Sequence, residues 1–183
     1  MSEQYLKEVT IGKPQEINGP IHISSYQKEW PKQYENIRLQ IIEALPHEHI
    51  EIEHVGSTSV PGLSAKPIID VILFVDDPND EGCYVRPLEQ AGFVLRIREE
   101  NWYEHRMFKG HDPEVNLHVF RFGCVEALRM IRFRDLLRTY PNERLYYEKT
   151  KQKLAKASWH YVQDYADAKS AVIREILARH ENG

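Results

Sequence analysis

The chain has 183 residues, 24 Lys/Arg against 28 Asp/Glu, a formal net charge of -4, 42% hydrophobic residues and 28% charged ones. This is ordinary for one globular unit with a proper core, and no run of 18 apolar residues occurs, which excludes a transmembrane helix. The opening Met1-Ser2-Glu3-Gln4-Tyr5 lacks the basic-then-apolar pattern of a signal peptide. Two isolated cysteines, Cys83 and Cys124, offer no zinc spacing and point to a reducing, cytoplasmic setting. Charge is uneven: Arg121 to Lys156 holds ten Lys/Arg against four Asp/Glu, +6 locally and -10 elsewhere. That stretch reads either as a solvated helix pair or as a face for polyphosphate. The acidic remainder argues against a dedicated nucleic-acid binder.

In chain order, residues 1–25 read as an N-terminal arm. Gly12, Pro14, Gly19 and Pro20 predict extended chain, with Ile21–Ile23 as an edge strand. A helix starts near Pro31, carries the stripe Tyr34, Ile37, Ile41, Leu45, and stops at Pro46. Tyr26 and Trp30 read as core anchors. A strand with Ile50, Ile52 and His54 on one face leads into a loop of small residues, and residues 68–75 form a second strand buried on both faces. The acidic turn 76–82 lacks the glycine and distal glutamate of a calcium loop; it enters a short helix ending at Gln90, with Gly92 as its stop. Strands follow over 93–98, 104–108 and 115–121, the last two joined by a hairpin through Lys109-Gly110-His111-Asp112-Pro113. The C-terminal part, 124–183, is helical: 125–138, 143–156 and one long helix over 161–179 with the stripe Val162, Tyr165, Val172, Ile173, Ile176. The expectation is an α/β (more narrowly α+β) fold, a mixed sheet of about five strands flanked by helices.

Residues 50–75 carry the chemistry. Gly56 lets a backbone or a phosphate approach closely. Ser57, Thr58 and Ser59 add hydroxyls and N–H groups that suit an anion cradle, Pro61-Gly62 closes the turn, and Lys66 supplies a cation before the second strand. No P-loop spacing follows Gly56. Asp70 shares a strand face with Ile68, Ile72 and Phe74, where an ionised carboxylate needs a partner. Either it caps a loop or pairs with an arginine, or it faces a polar site and holds a cation or a substrate group. His118 sits mid-strand with Asn116 and Phe120 on its face, as a hydrogen-bonded histidine, a general base or a metal ligand. Arg106 neutralises phosphate or forms a plain salt bridge. Lys169 falls inside the apolar stripe of the last helix, so it either snorkels or projects into the Ser57–Asp70 cleft.

Two runs, Glu53-His54-Val55-Gly56-Ser57-Thr58-Ser59-Val60-Pro61-Gly62-Leu63 and Lys66-Pro67-Ile68-Ile69-Asp70, resemble the GrpB-like family. So do Leu117-His118-Val119, Phe133-Arg134-Asp135-Leu136-Leu137 and Tyr165 through Lys169; the resemblance spans most of 26–175. It implies a nucleotidyltransferase-like fold with a DNA polymerase β-like core and a nucleotide ligand. Gly56, Ser57, Thr58, Lys66, Arg106 and Lys169 would bind phosphate. Asp70 would hold Mg²⁺ or Mn²⁺, and His118 would face Asp70 across adjacent strands. One departure stands out. Two-metal transfer needs carboxylates clamping ions about 4 Å apart, and Ile72 stands where the second carboxylate belongs. Three functions follow: a divergent metal-dependent nucleotidyltransferase, a catalytically silent module binding a nucleotide or coenzyme A precursor, or a non-enzymatic interaction protein.

Overall fold

The computed structural model describes residues 2–14 and 21–181. Five strands form one sheet in the order β1-β2-β5-β4-β3: β1 is Glu51–Val55, β2 Ile69–Val75, β3 Val94–Glu99, β4 His105–Gly110 and β5 Val115–Arg121. Only β2 and β5 run parallel; the other three pairings are antiparallel. This is the mixed sheet flanked by helices, with a helical C-terminal part, that the sequence leads one to expect.

The sheet's two faces meet different partners. Val71, Leu73, Val75, Leu117, Val119 and Phe108 form one face and pack against α2 (Trp30–Ala44) and α3 (Glu81–Gln90). Pro31 sits in the first turn of α2, and the expected stripe holds, with Ile37, Ile41 and Leu45 buried. The other face carries Ile72, Phe74 and Phe120, covered by α4 (Val125–Thr139). Beside that lies a second apolar cluster built by Val60, Leu63, Leu137, Tyr147, Val172 and Ile176, from the loop, α4, α5 (Pro141–Ala155) and the last helix. The polar site lies on this second face, on the Asp70–Asn116–Lys109 row of the sheet.

Three expectations are corrected. The N-terminal arm is not wholly extended: Glu3–Val9 forms α1, because Ser2 caps Tyr5 N–H at 3.2 Å and Leu6 and Val9 bury one face. Gly19 and Pro20 lie outside the described residues. In place of an edge strand at Ile21–Ile23 there is one isolated bridge, Ser24 to Ala65. The long C-terminal helix is two: α6 (Val162–Ala168) ends and α7 (Ser170–Arg179) begins on either side of Lys169, which caps both. Of the expected stripe, Tyr165, Val172 and Ile176 are buried, and the Val162 side chain lies outside the described set.

Ile41 is fully buried, while its neighbour Ile42 is 37% exposed. Ile41→Ala is expected to lower unfolding free energy by about 2–5 kcal/mol, and Ile42→Ala by under about 1 kcal/mol, in urea titrations followed by circular dichroism.

Candidate functional site

The site begins with a close approach. Val55 and Asp70 are paired across β1 and β2, and the next residue, Gly56, has φ +69°. A Cβ on Gly56 would lie 2.2 Å from Asp70 Oδ2. Only glycine fits both the conformation and the space. The residues after it, Ser57–Ser59, form one 3₁₀ turn.

The three hydroxyls of this turn do different work. Ser59 Oγ donates to Gly56 O at 2.6 Å, and Thr58 Oγ1 donates to Ile68 O at 3.2 Å while meeting His54 Nε2 at 3.1 Å. Thr58 is buried and committed to the loop, so its hydroxyl is not directed at a ligand. Burial, with Arg138 and Arg134 nearby, holds His54 down to about 3, so the ring is neutral; it stacks on Tyr34. Ser57 alone turns to the site, where it accepts from Lys151 Nζ at 2.9 Å and is shared with the Tyr147 hydroxyl.

Four lysines converge here. Lys151 is 3% exposed, donates also to Ser64 O at 2.6 Å, and lies 5.0 Å above the Tyr147 ring. Burial first, then Lys169, pulls its pKa down to about 7. Lys169 lies 4.5 Å and Lys66 5.4 Å over the Tyr165 ring. Burial lowers both, Lys169 to about 8 against the pull of Asp70, and Lys66 with the help of Lys109 and against Glu114 and then Asp70. Lys109 donates to Asn116 Oδ1 at 2.6 Å, Asn116 donates to Asp70 Oδ1 at 2.7 Å, and these three residues form one row across β4, β5 and β2. Burial pushes the Asp70 carboxyl up, opposed by Asn116 and then by Lys169, Lys109 and Lys66. Two further carboxylates act on these lysines: Glu148, which accepts from Ser64 N–H at 3.0 Å, on Lys151, and the exposed Glu114 on Lys66 and Lys109.

Of the residues singled out in the sequence, Gly56, Lys66 and Lys169 thus lie around Asp70, and Ser57 joins them through Lys151. Arg106 does not. It pairs in register with Val119, on the α2–α3 face, where it donates to Glu81 at 2.7 Å, to Glu104 O and to Asn79. It is a buried structural ion pair behind the sheet. His118 is on Asp70's face but two residues further along β5, opposite Ile72, and its hydrogen bond goes elsewhere. Tyr5 OH donates to Glu99 at 3.0 Å, Glu99 meets His105 Nδ1 at 2.7 Å, and His105 Nε2 meets His118 Nδ1 at 2.9 Å. With the His105 ring neutral and its Nδ1–H donated to Glu99, His105 Nε2 accepts from His118 Nδ1–H and the His118 Nε2 lone pair is left open. Burial above all holds His118 well below its ordinary value, as a neutral ring.

The side chains alone do not build a cage for the Mg²⁺ or Mn²⁺ that the resemblance implies; an ion at Asp70 would take its remaining ligands from the phosphates of a bound nucleotide. Asp70 is a lone carboxylate beside an amide and ammonium groups. Among the described residues no three His, Cys, Asp or Glu side chains are grouped to hold a metal. Lys109, Lys151, Tyr147 and the Glu99–His105 pair escaped the sequence reading. Lys151 carried a legible signal: it follows Tyr147 by four residues and precedes Leu154 by three, a lysine on an apolar helix stripe, as at Lys169.

Fold and site together define an α+β protein in which a Gly-Ser turn is set against a strand aspartate. The chain belongs to the family described as GrpB protein, whose profile matches residues 20–179. It is 48% identical to the UPF0157 protein BH1888 of Halalkalibacterium halodurans, over 97% of this chain and 91% of that one. It is similar to the crystal structure of conserved protein GrpB from Enterococcus faecalis, with TM-score 0.69 and 26% identity over 84% of this chain and 98% of that chain. A dephospho-CoA kinase of Mycolicibacterium paratuberculosis is 32% identical over 40% of this chain and 19% of its own length.

Gly56→Ala is expected to cost more than about 2 kcal/mol of stability, from the positive φ and the clash together. Adding Asp70→Gly removes the clashing carboxyl and returns part of that loss, a coupling of about 0.5–3 kcal/mol in a double-mutant cycle. Urea unfolding of the four proteins measures it.

Proposed function

We propose that the protein binds a phosphate-bearing small molecule, a nucleotide or a coenzyme A precursor, at the lysine ring around Asp70 and without a resident metal ion. The observation that carries this reading is Lys151 seated on Ser57, with Lys66, Lys109 and Lys169 around one carboxylate. Enclosed ammonium groups repel one another and lose hydration, and an anion relieves both costs. Phosphate oxygens would take the N–H groups that Ser57, Ser64 and Asn116 leave unused on Lys151 and Lys109. The likeness of part of the chain to a dephospho-CoA kinase supports including coenzyme A precursors in the ligand class. Two free cysteines suit a reducing cytoplasm as the place of action.

A second reading, nucleotidyl transfer, is favoured by one observation: the Glu99–His105–His118 chain on the Asp70 face, in which a neutral His105 leaves the His118 Nε2 lone pair open. In that reading a substrate hydroxyl gives its proton to Nε2, its oxygen bonds the α-phosphorus, and pyrophosphate leaves toward the lysines. His118→Gln then abolishes turnover and spares binding.

Thermal-shift and calorimetric titrations with ATP, GTP, CTP, UTP, dephospho-CoA and pyrophosphate, each with and without Mg²⁺ or Mn²⁺, test the first reading. A ligand at 100 times its Kd adds about 2.7 kcal/mol, roughly 5–10 °C for a chain of this size. The shift is expected without metal and is expected to vanish in Lys151→Met; a shift that needs metal sinks the metal-free reading. The pH dependence has a definite sign. A bound anion raises the pKa of Lys151 and Lys169, which stand at about 7 and about 8 in the free protein. Binding therefore takes up protons, and affinity falls as pH rises from about 7 upward, by at most about tenfold per pH unit for each proton taken up. Titrations in buffers of different ionisation enthalpy read the uptake directly.

A further inference from the structure

A cavity of about 410 Å³ opens at the β3–β4 end of the sheet, under α1. Ile97 and Met107 line it from the strands, Leu6 from α1, Gln163 from α6, and Val94 stands at its edge, 45% exposed. Its volume is within the range of small-molecule sites, roughly 300–1,000 Å³. One residue belongs to both this cavity and the lysine ring. Lys109 lines the cavity and also donates to Asn116 beside Asp70. The register agrees, because Met107 pairs with His118 and Lys109 with Asn116, so the cavity adjoins the site on the same face of the sheet. Another cavity, about 420 Å³ between Tyr34 and Arg138, includes His54, which shares its face with Val71 and Leu73; it lies behind the Gly56 turn.

The roof of this cavity is held at several points. Tyr5 OH donates to Glu99, Ile11 N–H donates to Arg96 O at 2.8 Å, Thr10 bridges Ile97, and Tyr161 OH donates to Glu3 at 3.2 Å. Helix α1 is thus fixed between β3 and α6. The chemistry of the walls is mixed. Leu6, Ile97 and the Met107 thioether give apolar surface that suits an aromatic ring. Gln163 donates one Nε2–H to Asp167 at 2.7 Å and keeps its carbonyl oxygen to accept, and the Glu114 carboxylate offers further acceptors.

We propose that this cavity is the seat of the ligand's nucleoside body, so that the protein takes a bipartite ligand: phosphates in the lysine ring, a heterocycle with amino groups under α1, and Lys109 at the junction. This inference rests on the reading of the ring as a phosphate site, and it specifies what the rest of the ligand is and where it lies. It also gives α1 a role: the helix completes a binding wall and does more than cover the sheet.

The test is isothermal titration with pyrophosphate and with ATP, GTP, CTP, UTP and dephospho-CoA, on wild type, Val94→Trp, Met107→Trp and Lys151→Met. Val94 stands at the exposed edge, so a tryptophan there fills the opening without disturbing the core, and its melting curve is expected to match wild type. At least one nucleotide is expected to bind wild type about tenfold or more tighter than pyrophosphate. Both tryptophan variants are expected to bring that nucleotide down to the pyrophosphate level and to leave pyrophosphate within about twofold. Lys151→Met is expected to weaken both probes. If no nucleotide outbinds pyrophosphate, or if both tryptophan variants keep full nucleotide affinity, the nucleoside seat is wrong and the ring reading stands. Loss of pyrophosphate binding in a folded Val94→Trp overturns the separation of the two subsites. If wild type binds neither pyrophosphate nor any nucleotide, the ring reading falls and this inference falls with it.

Discussion

The packing of the Asp70 carboxyl against Gly56 constrains everything near it. The carboxylate is enclosed by the turn, the sheet and the C-terminal helices, and enclosure disfavours its charge. Asn116 donates to it, and lysines from three other parts of the chain supply opposing charge. Gly56 must lack a side chain for the carboxyl to sit there at all. The turn that follows is therefore fixed in direction, and Ser57 is the one hydroxyl it presents to Lys151.

The two kinds of cation divide the labour. Guanidinium groups hold the frame from behind and from the side. Arg138 donates twice to Ser59 O, Arg134 donates to His54 O and pairs with Glu53, and Arg106 ties β4 to Glu81 of α3. Their planar forks suit fixed carbonyl and carboxylate partners. Ammonium groups line the site itself. Each keeps N–H groups beyond its present partners and rests on a tyrosine ring or an amide, so each accommodates an incoming oxygen with little rearrangement. Two of these lysines sit near the pH at which they lose their protons, which makes the site's charge responsive to what occupies it.

The open row of the sheet continues away from Asp70 into the Glu99–His105–His118 chain and the cavity beneath α1. Helix α1 joins these features, because Tyr5 anchors on Glu99 while Leu6 lines the cavity. The buried glutamate thus connects the roof to the imidazole pair. A short amphipathic segment near the N-terminus shapes the cavity and is tied to the hydrogen-bonded histidine pair.

The sequence by itself determined the sheet. Period-two and continuous apolar runs mark strands within a residue or two, because burial of a pleated surface is a local pattern. It also determined the Gly56–Ser57–Asp70 kernel, since a glycine before hydroxyls and an acid in an apolar strand are anomalies visible one residue at a time. Lys169 was legible for the same reason. The tertiary structure decided which groups meet. Strand register separated Arg106 from the site by turning it to the other face, and it paired Asp70 with Asn116 in place of His118. Lys109 and Lys151 lie 39 and 81 residues from Asp70 in the chain and join it only when β5 bridges β4 to β2 and α5 packs with α4 over the Gly56 turn. The helix Glu3–Val9 hid behind Gly12 and Pro14, since seven residues have too little intrinsic helicity to declare themselves and hold their shape through contacts with β3 and α6. Local patterning specifies elements because burial repeats along the chain. The site depends on contacts between distant segments, and only packing brings those together.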